Sequence, residues 1–291
     1  MKLFVRDLTV IDASFLSLSR GMVGESWLVD IELTGSLNEM SMLLDFARVK
    51  KNIKSIIDAE VDHRLLVPLC ATGCSVCAVA QEYHSVSFIS AKGPIYLHAP
   101  SQAFCFVPAE EITVESVTAY LYNVIREKLP DNIDGLTITL RHEMIPGSCY
   151  HYSHGLKKHD GNCQRIAHGH RSTIEIWVDG HRDAKLEQEW SQRWADIYLG
   201  SIEDQVALAQ LQLGGAGVHL SVKHHLGFRY CAPQGEFQLA IPTICCELID
   251  TDTTVELLAD YILRQLEKRF PEATLRVVAY EGVGKGAVAE R

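Results

Sequence analysis

Residues 93–121 read GPIYLHAPSQAFCFVPAEEITVESVTAYL, and residues 235–262 read GEFQLAIPTICCELIDTDTTVELLADYI. Each begins at a Gly turn, alternates through apolar positions to a Pro, continues in a second apolar run and ends in Thr-Val-Glu. Thr113 and Thr254 stand where a helix N-cap would, with apolar residues following at helical spacing. The two stretches lie about half the chain apart, so the sequence reads as an internal repeat.

Working outward, each half opens with an alternating strand, LTVIDASFL in the first and SCYHYSHGL in the second. A second strand follows, SWLVDIELTG or RSTIEIWVDG, and period-2 alternation marks both as half-buried. Helical stretches are predicted next, over 45–58 and about 186–212. Then come a strand hairpin, the Thr-Val-Glu helix and a last strand, LTITLRHE or TLRVVAYE. The expected order per half is β-β-α-β-β-α-β. Two breakers meet at Pro146-Gly147, which divides the chain into units 1–146 and 147–291.

The chain has 291 residues, roughly two domains at about 100–200 residues each. At 47% hydrophobic residues it can bury a sizeable core. A net charge of −10 argues against a broad nucleic-acid surface. No stretch reaches the roughly 18 uncharged apolar residues of a membrane span. The opening MKLFVRDLTVID has no apolar signal core, so a cytoplasmic protein is expected. The nine cysteines are odd in number and follow no scaffold pattern, which reads as reduced thiols. Cys70, Cys74 and Cys77 form a C-x3-C-x2-C run, for which small buried thiols are expected rather than a cluster.

Residues 154–170 read HGLKKHDGNCQRIAHGH. His168 and His170 are two apart, which on a strand puts both side chains on one face. His154, near the end of the preceding strand, can meet them across the hairpin. Three neutral imidazoles with an open fourth position make a catalytic zinc site rather than a structural one. Zinc there would polarise a bound hydroxyl or carbonyl oxygen. The plain alternative is chance adjacency in a histidine-rich half.

This stretch resembles the zinc signature of the 6-pyruvoyltetrahydropterin synthase / 6-carboxytetrahydropterin synthase family. The resemblance implies zinc ligation by His154, His168 and His170, with Cys163 as the catalytic thiolate base. It assigns Thr113, Glu115, Thr254 and Glu256 to substrate-binding helix starts. It makes Glu281 in VVAYEG, or Glu143 in LRHE, the carboxylate that anchors a pterin ring. Asp62-His63 matches the family's Asp-His pair, and Asp45-Phe46 its helix start. The implied fold is α+β: two tandem tunnelling-fold units, each an antiparallel four-stranded sheet with helices on one face. The implied activity is a zinc-dependent lyase acting on 7,8-dihydroneopterin triphosphate or a related pterin. The alternative is a non-catalytic pterin- or nucleotide-binding regulator on the same scaffold.

The halves differ in what they carry. Aligned through Gly35 and Gly180, Val23 faces His168 and Glu25 faces His170; Phe15 falls opposite His154. The first half should therefore bind no zinc. The second half has roughly SIEDQV where the first has Asp62-His63, so a complete set needs both. The expectation is a homo-oligomer with sites at interfaces between unlike halves, in rings of four units from two chains. A bland reading makes Asp62-His63 a helix-end remnant. Lys157, Lys158, Arg165 and Arg171 form a basic patch that could lower a thiol from its usual pKa of about 8.5 and receive a triphosphate. His219, His224 and His225 could stand in for the dyad or be ordinary strand histidines.

Overall fold

A tight turn at 18–20 returns the chain from β1 (Lys2–Ser17) to β2 (Gly21–Gly35), and their antiparallel ladder centres the first sheet. The computed structural model describes residues 1–37, 39–79, 82–158, 165–215 and 217–291, with the backbone alone at 48 and 49. The first half continues through α1 (Phe46–Glu60), β3 (Leu65–Pro68), β4 (Cys74–Val79), β5 (Tyr83–Ser90) and β6 (Gly93–Pro100). It closes with β7 (Phe104–Val107), α2 (Val114–Arg126) and β8 (Ile133–Arg141). The second half runs β9 (Cys149–His154), β10 (His168–Val178), β11 (His181–Arg182), α3 (Ala184–Arg193), β12 (Ile197–Ser201) and β13 (Gln205–Val206). It ends β14 (His225–Ala232), β15 (Gly235–Pro242), β16 (Cys246–Ile249), α4 (Val255–Glu267), β17 (Leu275–Tyr280) and β18 (Gly286–Glu290).

The strands form three sheets. The first has order β7-β3-β1-β2-β8; the second has order β16-β12-β9-β10-β17-β18, with β11 on β10. The third, β13-β14-β15-β6-β5-β4, draws strands from both halves. The expected four-stranded sheets are thus five- and seven-stranded. The middle hairpins leave the main sheets and pair with each other, while short parallel strands, β3 with β7 and β12 with β16, occupy their places. Alternation along a strand reports which side chains face a core, not which sheet the strand joins. The helix expected over 186–212 also ends early, at Arg193. Asp183 caps α3 at Lys185 N and Leu186 N, and Asp196, at φ 54°, turns the chain into β12.

Helices cover one face of each main sheet. On α2, Val117, Leu121 and Ile125 recur every four residues and bury against the first sheet with Ile53 and Ile57 of α1. On the second sheet, Leu186 and Trp190 of α3 join Leu258, Ile262 and Leu266 of α4. Each such aliphatic side chain contributes about 1.5–3 kcal/mol by leaving water. Among the described residues, no helix is long and apolar enough to cross a membrane. The eight described cysteines are free thiols; contrary to expectation, Cys70 and Cys77 are exposed and Cys74 is half-buried.

The two main sheets repeat one register. Phe15 pairs with Val23 as His154 pairs with His168, and Ser14 adjoins Leu65 as Ser153 adjoins Tyr198. The hairpins then cross face to face. Ser14 Oγ donates to Ser153 Oγ at 2.7 Å, and Gly24 lies against Gly169, where a Cβ would meet the Gly24 Cα at 2.5 Å. In the third sheet Leu97 pairs with Leu239. Each of these contacts joins equivalent positions of the two halves. That self-complementarity defines a twofold interface of the kind seen between identical subunits.

Candidate metal centre

The β9–β10 ladder sets His168 directly across from His154, and strand alternation returns His170 to the same face. All three side chains are buried. Their ring centroids are 4.4, 5.3 and 5.5 Å apart, and one nitrogen from each lies within 4.8 Å of the other two. His154 Nδ1 is 2.9 Å from the Thr253 carbonyl. Only an N–H can donate there, so the proton sits on Nδ1 and Nε2 is left as a ligand. Burial, then the neighbouring imidazoles, hold His168 well below its usual pKa, in the neutral form that ligates metals. Among the described residues, His168 Nδ1 and both ring nitrogens of His170 have no hydrogen-bond partner. Buried polar atoms are nearly always satisfied, and a cation between these rings would satisfy one on each ring. An all-imidazole donor set suits a transition-metal ion.

The first half supplies the wall facing this triad. His63, in a left-handed turn at φ 56°, donates its backbone N–H to the Asp12 carbonyl at 2.8 Å. Its ring centroid lies 5.2 Å from that of His168. Asp62 Oδ1 accepts from Asp12 N at 2.8 Å, while its Oδ2 is 3.8 Å from His63 Nε2, too far for a hydrogen bond. Burial pushes Asp62 up to about 7 and His63 down to about 4. His63 is therefore an uncharged proton acceptor at neutral pH. Arg165 Nη1 reaches back across the interface to the carbonyls of Asp62 and His63 at 3.1 and 3.0 Å. Unlike halves thus meet around the triad within one chain.

Glu281, at the end of β17, places Oε1 3.8 Å from His170 Nε2 and keeps part of its carboxylate exposed. Glu143 accepts from Arg171 Nη1 through its backbone carbonyl at 3.0 Å. Strand pairing, Ile31 with Ile138 and Ile176 with Val277, makes His142 rather than Glu143 the counterpart of Glu281. The same register sets Asp196, not SIEDQV, against His63. Both residues have positive φ, and Asp196 binds Arg20 at 2.6 Å. Phe15 and Val23, at the positions of His154 and His168, are buried in the first core.

Other expected residues serve local ends. Thr113 and Ser116 cap α2 reciprocally, Glu115 and Glu256 are exposed, and Thr254 precedes α4 without a side-chain cap bond. Lys157 is held by Glu203 and Asp204 at 2.7 and 2.6 Å, which spends much of the basic patch. His225 Nε2 faces the Pro94 carbonyl at 3.2 Å in the third sheet, and His219 and His224 are exposed. Cys163 lies outside the described residues. Sequence reading missed Asp12, Thr253 and Lys285; the buried acid in LTVIDASFL was the one visible signal.

A doubled sheet-and-helix scaffold with, among the described residues, one buried three-histidine cluster able to hold a metal ion describes a class of mixed α and β proteins. Within that class, the family model described as 6-pyruvoyl tetrahydropterin synthase matches twice, over residues 19–152 and 146–291. The chain belongs to this family as a tandem-duplicated member. A Methanocaldococcus jannaschii protein provisionally named a 6-carboxy-5,6,7,8-tetrahydropterin synthase is 24% identical over 140 residues, covering 44% of this chain and 77% of that protein. A Plasmodium vivax 6-pyruvoyltetrahydropterin synthase structure overlaps 48% of this chain and 90% of its own at 14% identity and a TM-score of 0.40. A Plasmodium falciparum counterpart gives 13% identity and 0.37, over 49% and 98%.

Proposed function

We propose that the chain is a zinc-dependent lyase acting on 7,8-dihydroneopterin triphosphate or a related pterin. The observation that carries this reading is the convergence of three buried imidazoles, with His168 held neutral by burial and nitrogens of His168 and His170 without a hydrogen-bond partner among the described residues, in a chain whose family is a pterin synthase. His154, His168 and His170 would hold the ion, which when bound supplies a Lewis acid for a substrate oxygen. Glu281, partly exposed beside His170, would accept the paired N–H groups of the pterin's aminopyrimidine edge, a geometry a carboxylate suits. Cys163, as thiolate, would remove a proton from the side chain. His63, uncharged and facing His168, would take up a proton at Nε2 and return it, with Asp62 alongside. The surrounding wall from the first half would exclude water.

Incubation with 7,8-dihydroneopterin triphosphate, followed by mass spectrometry, should show a new pterin, with about one zinc per chain by elemental analysis. A metal-free, inactive wild type would leave the pterin-binding regulator. Cys163→Ala should lose at least the 10²-fold or so that general base catalysis contributes while retaining zinc. Full turnover in that variant removes the thiol from the chemistry. We also propose a homo-oligomer, because the main sheets end in strands unpaired among the described residues and open edges invite pairing. A monomer mass by light scattering would overturn it.

A further inference from the structure

We propose that Asp12, supplied by the half that has no metal ligands, is the positioning residue for the metal centre. It would fix the His170 ring through Nδ1 so that Nε2 is presented to the ion. This rests on the metal reading above and adds a residue to it. Asp12 sits mid-strand in β1, almost fully buried. Its Oδ1 lies 3.2 Å from His170 Nδ1, at ion-pair distance but off hydrogen-bond alignment, and accepts from Ser26 Oγ at 2.5 Å. Its Oδ2 accepts from Lys285 Nζ at 3.1 Å. Its backbone carries the Asp62 and His63 contacts already described. One residue therefore ties together a ligand, the candidate proton acceptor and the β17–β18 turn that bears Glu281.

The twofold relation supplies an internal comparison. Around the triad the arrangement is acid–histidine–acid: Asp12, His170, Glu281. At the equivalent positions on the opposite face it is histidine–acid–histidine: His151, Glu25, His142, with His142 Nε2 3.2 Å and His151 Nδ1 3.8 Å from Glu25 Oε2. That face holds Phe15 and Val23 where the other holds His154 and His168. The carboxylate at the Asp12 position accompanies the imidazole ligands and is absent where they are absent. A carboxylate on the far nitrogen of a ligating imidazole fixes its tautomer and ring plane and raises its basicity.

The test compares Asp12→Asn with His151→Gln, its counterpart across the axis, by zinc competition against a chelating dye and by the absorption spectrum of the cobalt-substituted protein. Asp12→Asn should weaken zinc by about 10–100-fold, the usual effect of losing such a partner, and shift the cobalt bands. His151→Gln removes a matching interface contact and should leave both unchanged. Should Asp12→Asn not fold, Lys285→Gln, at a half-exposed side chain, should weaken zinc several-fold. Wild-type affinity and spectrum in Asp12→Asn, or in Lys285→Gln where that variant stands in, overturn the proposal while leaving the metal reading intact. A wild type that binds no zinc overturns both.

Discussion

Replacing His168 with alanine is expected to leave the chain without bound zinc after dialysis, the ratio by elemental analysis falling from about one to near zero. His168 is the middle of the cluster: it faces His154 across the ladder, shares a strand face with His170 and meets His63 from the other half. Two imidazoles would remain, too few for the three protein ligands of a catalytic zinc site. Losing a ligand should exceed the roughly 10–100-fold effect of losing an outer-shell partner. The thermal midpoint should fall to that of chelator-treated wild type, because metal binding to the folded chain is also folding free energy. Zinc retained at wild-type stoichiometry would show that the ion sits elsewhere.

The largest stability loss is expected for Gly24→Ala. A Cβ there would stand 1.8 Å from the Tyr152 carbonyl oxygen and 2.6 Å from His170 N, both backbone atoms of the metal-bearing hairpin. Neither can swing aside as a side-chain tip would. Overpacking of a core typically costs about 1–3 kcal/mol, and separating two crossed ladders should exceed that range. The denaturant midpoint reads it, and metal affinity should fall too, because His170 moves with its strand. An unchanged midpoint would mean that the hairpins do not cross as closely as described.

Local patterns carried part of this. Thr113 and Thr254 announced the repeat because a helix start followed by apolar residues at helical spacing is a short-range signal. His168 and His170 were legible because strand alternation needs no tertiary knowledge. Thr253 was not, since its contribution to His154 includes a carbonyl oxygen, which every residue owns. Asp12 was not, since what makes it consequential is a ring from the other half of the chain. Glu143 was matched to Glu281 by residue type, whereas pairing selects its neighbour His142; a one-residue slip on a strand exchanges faces. The run through IYLGS was absorbed into an overlong helix because a short, fully buried strand shows no period of its own.

The contacts Ser14–Ser153, Gly24–Gly169 and Leu97–Leu239 have a consequence for heredity. When two identical chains meet about such an axis, every substitution appears on both sides, and neither side can change alone. Linked in one chain, each member of a pair mutates independently. One side can discard its imidazoles for Phe15 and Val23 while keeping Asp12, Asp62 and His63; the other can keep imidazoles and carry Asp196 where its twin has His63. Specialisation would leave, among the described residues, one centre drawing on both parts, so a lesion on either side of the axis would strike the same proposed site.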